Sequence, residues 1–83
     1  MSTNEINIRL KKLVAGIANQ EVSDISEAQA LKEIGIDSIG MIDLIGGLEV
    51  EFGIRVADED VGPEVFADMG SLAGYIERKS NKS

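Results

Sequence analysis

The chain has 83 residues, enough for one small hydrophobic core and not for two, so residues 1–83 are expected to form a single domain. Hydrophobic residues make up 43% of it and aromatic residues only 4%, so Ile, Leu, Val and Met from several short elements must fill that core. With no Cys and no His, disulfides, thiol-based zinc sites and the usual Ser-His or Cys-His nucleophile pairs are excluded, and a formal charge of -7 disfavours nucleic acid and anionic lipid surfaces as partners.

From the N-terminus, Met1 to Glu5 is polar and lacks the charged-then-apolar layout of a signal peptide. No apolar run approaches the roughly 18 residues of a membrane span, so a cytoplasmic location without membrane insertion is expected. Ile6, Leu10, Leu13, Val14 and Ile17 recur at helical spacing and predict a first helix over residues 3–18. Ser2 and Glu5 would form its capping box, and Arg9, Lys11 and Lys12 its polar face.

Between Asn19 and Asp37 the periodicity loosens, but Val22, Ile25, Leu31, Ile34 and Ile36 remain as apolar anchors. This is a long connection with room for a short helix over Ser26 to Glu33. Asp37-Ser38 then opens a helix to Phe52 in which Met41, Leu44, Ile45, Leu48 and Phe52 share one face, with Gly53 as its stop. One helical turn is expected from Asp58 to Val61. Asp68 would cap a last helix with Met69, Leu72, Ala73 and Ile76 inward, leaving a polar tail from Lys79.

No strand alternation persists, so the predicted fold is all-α: a small four-helix bundle of three main helices and one short one. Its core would comprise Ile6, Leu10, Leu13, Val14, Ile17, Met41, Leu44, Ile45, Leu48, Phe52, Val56, Leu72 and Ile76.

Asp37-Ser38 has two readings. Either residue could be a plain N-cap, accepting hydrogen bonds from first-turn amides. Equally, a hydroxyl at a helix N-terminus can carry a phosphodiester, whose charge the helix dipole favours. On the face of this helix away from the core stripe stand Ile39, Ile42, Asp43, Gly46 and Val50, an apolar row that starts beside Ser38 and has no core to enter. Gly46 and Gly47 in mid-helix should each cost about 0.8–1.0 kcal/mol relative to Ala if exposed, which suggests a reason for bare backbone there. Asp58-Glu59-Asp60 lacks the alternating acids of a calcium loop, so no metal site is expected, and the catalytic machinery of an enzyme is likewise missing. The small-residue spacing of Gly70 and Gly74 falls in a segment too polar for membrane dimerisation.

The segment Ile34-Gly35-Ile36-Asp37-Ser38-Ile39, followed by Leu48-Glu49-Val50-Glu51-Phe52-Gly53-Ile54, resembles the signature of acyl and peptidyl carrier proteins. The acidic turn at 58–60 and the final Ser71-Leu72-Ala73-Gly74-Tyr75-Ile76 helix extend the resemblance over nearly the whole chain. It implies a non-catalytic carrier whose 4'-phosphopantetheine arm, taken from coenzyme A, is attached to Ser38, making the loaded chain a phosphoprotein. Asp37 would help a phosphopantetheinyl transferase recognise the site. The missing cysteine then fits, because the reactive thiol belongs to the prosthetic group. Acyl or aminoacyl cargo would be a thioester on the arm, sheltered between the helix that runs from Asp37-Ser38 to Phe52 and the helix that follows it.

Further partners implied are a loading enzyme and the synthase or acyltransferase that takes the cargo, meeting a monomeric carrier. Their docking patches would be basic around an apolar centre, matching Asp37, Asp43, Glu49 and the strip Ile39, Ile42, Gly46, Val50. The chain departs from housekeeping fatty-acid carriers at Gly40 and Val50, where these commonly have acids, and at Gly46, where they have a larger apolar residue. That points to polyketide, nonribosomal peptide or related specialised biosynthesis. The alternatives are a fatty-acid-synthesis carrier and, more remotely, a small acidic helical interaction module in which Ser38 is only a cap.

Overall fold

The structure, a computed structural model, describes residues 2–81; Met1 and the last two residues of the expected tail, Lys82 and Ser83, lie outside the described residues. Its helices are α1 (Thr3–Ala18), α2 (Leu31–Ile34), α3 (Ser38–Phe52) and α4 (Met69–Asn81), with single 3-10 turns at Val22–Asp24 and Asp58–Asp60. Three long helices and one short one make the all-α architecture that the periodicity predicts. The described residues contain no strand, only an isolated antiparallel bridge between Ala30 and Asp68.

α1 begins where Ser2 Oγ accepts the Glu5 amide at 3.1 Å, the Ser2 half of the expected capping box. The Glu5 carboxylate instead lies 4.0 Å from Arg9, one helical turn on. α1 packs on both α3 and α4. Ile6, Leu10 and Val14 from α1 meet Leu44 and Leu48 from α3 and Leu72 and Ile76 from α4, all fully buried in one cluster. This is the face that 3.6-residue periodicity marks, and fully burying such aliphatic side chains is worth about 1.5–3 kcal/mol each.

Gly47 sets how closely α1 and α3 approach. A Cβ built on it would stand 2.6 Å from Leu13 Cδ1, so the bare backbone there is occupied by the partner helix.

Four expected core residues, Leu13, Ile17, Met41 and Ile45, are only partly buried, because they flank the central stripe rather than lie on it. Their places deep in the core are taken by Ile25, Leu31, Ile34 and Ile36 from the long connection and by Phe66, Met69, Ala73 and Tyr75. Val22 is not an anchor: it is 40% exposed.

The short helix expected over 26–33 shrinks to Leu31–Ile34. Local bonds from Ala28 N–H to Ser26 Oγ and from Ser26 N–H to the Gln29 side chain turn the chain before it. Tertiary pairing then claims the backbone, with Leu31 N–H donating to Ala67 C=O at 3.1 Å and Met69 N–H to Gln29 C=O at 3.0 Å. α2 ends at Gly35, whose φ of 106° lets its amide return to Leu31 and Lys32 carbonyls. The Gln20 side-chain amide donates to the Ile34 carbonyl and ties α2 to the end of α1.

The polar tail expected from Lys79 is also revised. α4 continues to Asn81, and Lys79 has an ion-pair partner, Asp60, at 3.4 Å.

Candidate functional site

α3 starts where it does because Asp37 is extended and its Oδ1 accepts the Gly40 amide at 2.8 Å. Asp37 is therefore the N-cap, and Ser38 is the first helical residue. Ser38 is exposed, and its hydroxyl takes part in no hydrogen bond among the described residues. The cap occupies one of the first-turn donors, and the Met41 amide bonds to the Asp37 carbonyl at 2.8 Å. The earliest amides of the helix have no intrahelical acceptor by geometry, so positive potential remains beside the Ser38 hydroxyl.

Beside Ser38 opens a cleft of about 690 Å³ between α2, the start of α3 and the segment 63–67. Leu31, Ile36, Met41 and Phe66 give it apolar walls, while Asp37 and Lys32 are its charged lining residues. Partial exposure of Met41 follows from its place on this wall. The size and lining suit an extended organic chain led in from the Ser38 hydroxyl.

Away from the cleft lies a polar cluster of Asp60, Tyr75 and Lys79. The Tyr75 hydroxyl donates to Asp60 Oδ2 at 2.7 Å, Lys79 Nζ lies 3.4 Å from the same oxygen, and the ammonium stands 5.6 Å from the centre of the Tyr75 ring. Burial and the adjacent Asp60 carboxylate push the Tyr75 hydroxyl up to about 12, whereas the hydrogen bond from Tyr75 and then the Lys79 ammonium hold the Asp60 carboxyl below its ordinary range. These contacts fasten the 58–60 turn to α4 just before the chain runs through Pro63 and Phe66 to the cleft. At the start of α4, Asp68 accepts the Ser71 amide at 2.7 Å, a bond that lowers its carboxyl pKa.

The outer face of α3 carries Ile39, Ile42 and Val50 at 73%, 70% and 88% exposure, values unusual for large aliphatics. Asp43 and Gly46 are exposed between them, and nothing lies within 4 Å of where a Gly46 Cβ would be. The two mid-helix glycines thus differ: Gly46 faces solvent and Gly47 faces α1. Glu49 is half-buried and its Oε2 accepts the Val56 amide at 3.0 Å, so it also holds the segment after α3 in place.

The sequence pattern brings Asp37, Ser38, Ile39, Ile42, Asp43, Gly46 and Val50 to one end and one side of α3. The cleft itself was not legible, since Lys32, Pro63 and Phe66 reach it only through tertiary packing. The nearest signal was the cluster of Val65 and Phe66 between Pro63 and Asp68, too short to show periodicity.

Residues 9–76 match the family described as phosphopantetheine attachment site, a span that contains the whole cleft and the outer face of α3. Among curated proteins, the chain is 32% identical over 81 residues to an acyl carrier protein of Thermotoga maritima, covering 94% of this chain and 95% of that protein. It is 31% identical over 80 residues to the acyl carrier protein of an Exiguobacterium species, covering 95% and 99%. A Helicobacter pylori acyl carrier protein shares 30% identity over 69 residues, covering 82% and 86%.

Proposed function

Because the chain belongs to the acyl carrier protein family, we propose that Ser38 is its phosphopantetheine attachment point and that it carries acyl or aminoacyl cargo for polyketide, nonribosomal peptide or related specialised biosynthesis. Members of the family are non-catalytic carriers bearing 4'-phosphopantetheine, and they work with a phosphopantetheinyl transferase and with synthase enzymes. The prosthetic group supplies a thiol on a flexible arm that holds cargo as a thioester.

The observation that carries the assignment is the exposed, unengaged hydroxyl of Ser38 at the first turn of α3, at the edge of the apolar cleft. Ser38 would bear the arm, Asp37 would fix the helix start that the transferase recognises, and Leu31, Ile36, Met41 and Phe66 would shelter apolar cargo from water. The exposed strip from Ile39 through Ile42, Asp43 and Gly46 to Val50, with Glu49 at its margin, is the proposed docking face for the transferase, the loading enzyme and the accepting synthase or acyltransferase. The single-domain reading over residues 1–83 is supported by a family match and relatives that extend over most of the chain. A monomer is proposed, meeting its partners through that strip.

Incubation with coenzyme A and a broad-specificity transferase tests the assignment. The intact mass should rise by one phosphopantetheine, peptide mapping should place it on Ser38, and Ser38→Ala should stay unmodified. Modification at Ser26 or Ser71 would overturn the site.

The specialised pathway is supported by α3 itself, where Gly46 and Val50 on the outer face, and Gly40 on the side turned toward Ile17 of α1, stand instead of a more acidic and bulkier set. The relatives are named simply acyl carrier protein, with no specialised product, which leaves a second reading, service in fatty-acid synthesis. Competition assays with fatty-acid synthase components separate the two: efficient elongation of cargo on this carrier would favour the second.

A further inference from the structure

Lys32 is set apart by its place on the cleft, since Lys12, Arg55 and Arg78 share with it the lack of an ion pair among the described residues. Arg9, Lys11 and Lys79 each have carboxylate partners, at 3.7 Å from Glu51, 3.7 Å from Glu27 and 3.4 Å from Asp60 respectively. Lys32 makes no ion pair among the described residues, is exposed, and is the one basic side chain lining the cleft that also takes in Ser38. Its backbone is nevertheless held on three sides. Leu31 N–H is bound to Ala67, the Glu33 carboxylate receives the Ala30 amide at 3.2 Å, and the Gly35 amide returns to the Lys32 carbonyl at 3.2 Å. An ammonium on a flexible stem is therefore delivered from a fixed point to the cleft.

The acidic side chain on that lining is Asp37, whose Oδ1 is turned to the Gly40 amide. A phosphodiester on the next residue would place a second negative charge beside that carboxylate, in a chain of formal charge -7. Repulsion between two such neighbours is only partly offset by the α3 dipole, and a cation lining the same cleft lowers it further. The geometry points to Lys32 as a positioning residue that binds the phosphodiester of the arm on Ser38 and so sets the direction in which the arm leaves the helix. This rests on the carrier reading and adds to it a residue six positions before the attachment site. A carboxylate at the end of a dicarboxylic acyl cargo would offer the same anionic chemistry. The phosphodiester is favoured because its attachment to Ser38 fixes it at this end of the cleft whatever the cargo.

The test uses the full chain carrying its arm, as wild type, Lys32→Gln and Lys32→Arg, with intact mass confirming modification and circular dichroism confirming the helices. The phosphorus-31 resonance of the phosphodiester is measured at low and high salt. The expected result is a resonance position in Lys32→Gln distinct from wild type at low salt, convergence of the two as salt screens the pair, and a wild-type-like position in Lys32→Arg. Attachment of the arm should also move the Lys32 amide resonance of the wild type. Coincident phosphorus resonances in wild type and Lys32→Gln at low salt would overturn the proposal. So would a Lys32 response that arises only when the arm is loaded with a dicarboxylic acyl group and not with acetyl, which would assign the lysine to cargo. Failure of the wild type to gain the arm would overturn the carrier reading itself and is read from mass alone.

Discussion

At Ser38 the division of labour between neighbours has an energetic consequence. Asp37 supplies the cap and Ser38 only the hydroxyl, so Ser38→Ala removes the proposed attachment point without removing a capping bond. Its stability is expected to stay within about 0.5 kcal/mol of wild type, whereas Asp37→Ala should lose about 0.5–2 kcal/mol and shift the helix start that positions Ser38. Denaturant titration of both variants checks this. The glycine pair offers a second contrast. Gly46→Ala places a methyl in open space, so the helix-propensity gain of about 0.8–1.0 kcal/mol is expected in full. Gly47→Ala gains the same propensity but drives its methyl into Leu13, whose displaced rotamer costs about 0.5–1.5 kcal/mol, so melting should show a near-neutral effect. The larger Gly46→Met is expected to keep the helix intact while slowing loading or delivery by the dedicated partner. Unchanged transfer rates would leave Gly46 without a functional account.

At the scale of the element, α3 serves two masters on two faces. Leu48 is fully buried and Ile42 is 70% exposed, although both are aliphatics of similar size on the same helix. Leu48→Ala is expected to lose about 2–5 kcal/mol of stability, while Ile42→Ala and Asp43→Lys should change it by no more than about 0.5 kcal/mol. Those two exposed variants should instead slow transfer to or from a partner enzyme. If Ile42→Ala melts the domain as severely as Leu48→Ala, the docking face is misplaced. The turn over Asp58–Asp60 depends on α4 through Tyr75. Because the Tyr75 pKa is raised from 10.0 to about 12, its stabilising contribution is present in full below about pH 10 and is lost as pH rises toward 12. Tyr75→Phe should lower stability at neutral pH and flatten this alkaline loss, and thermal melts across that window measure both.

For the whole molecule, local sequence determined the three long helices, their caps and their buried stripes. Periodicity is written into consecutive residues, and Ser2, Asp37 and Asp68 act on amides three positions away. The exposed row beginning at Ile39 was legible for the same reason, since it lies along a single helix, and the motif from Ile34 to Ile39 was legible because its residues are consecutive, running from the end of α2 into the start of α3. The anchors Ile25, Leu31, Ile34 and Ile36 were legible in the connection, but only the tertiary structure decided how the segments between helices are held. Leu31 and Ile34 enter the core because α2 is pinned to the chain before α4, and Phe66 and Lys32 meet at one cleft although 34 positions apart in sequence. Their four-residue helix and irregular connections are too short to carry a period, and their backbone partners lie across the fold. It likewise took the packed structure to distinguish Gly46 from Gly47, because only the position of Leu13 on α1 makes one glycine a solvent-facing gap and the other a site of helix contact.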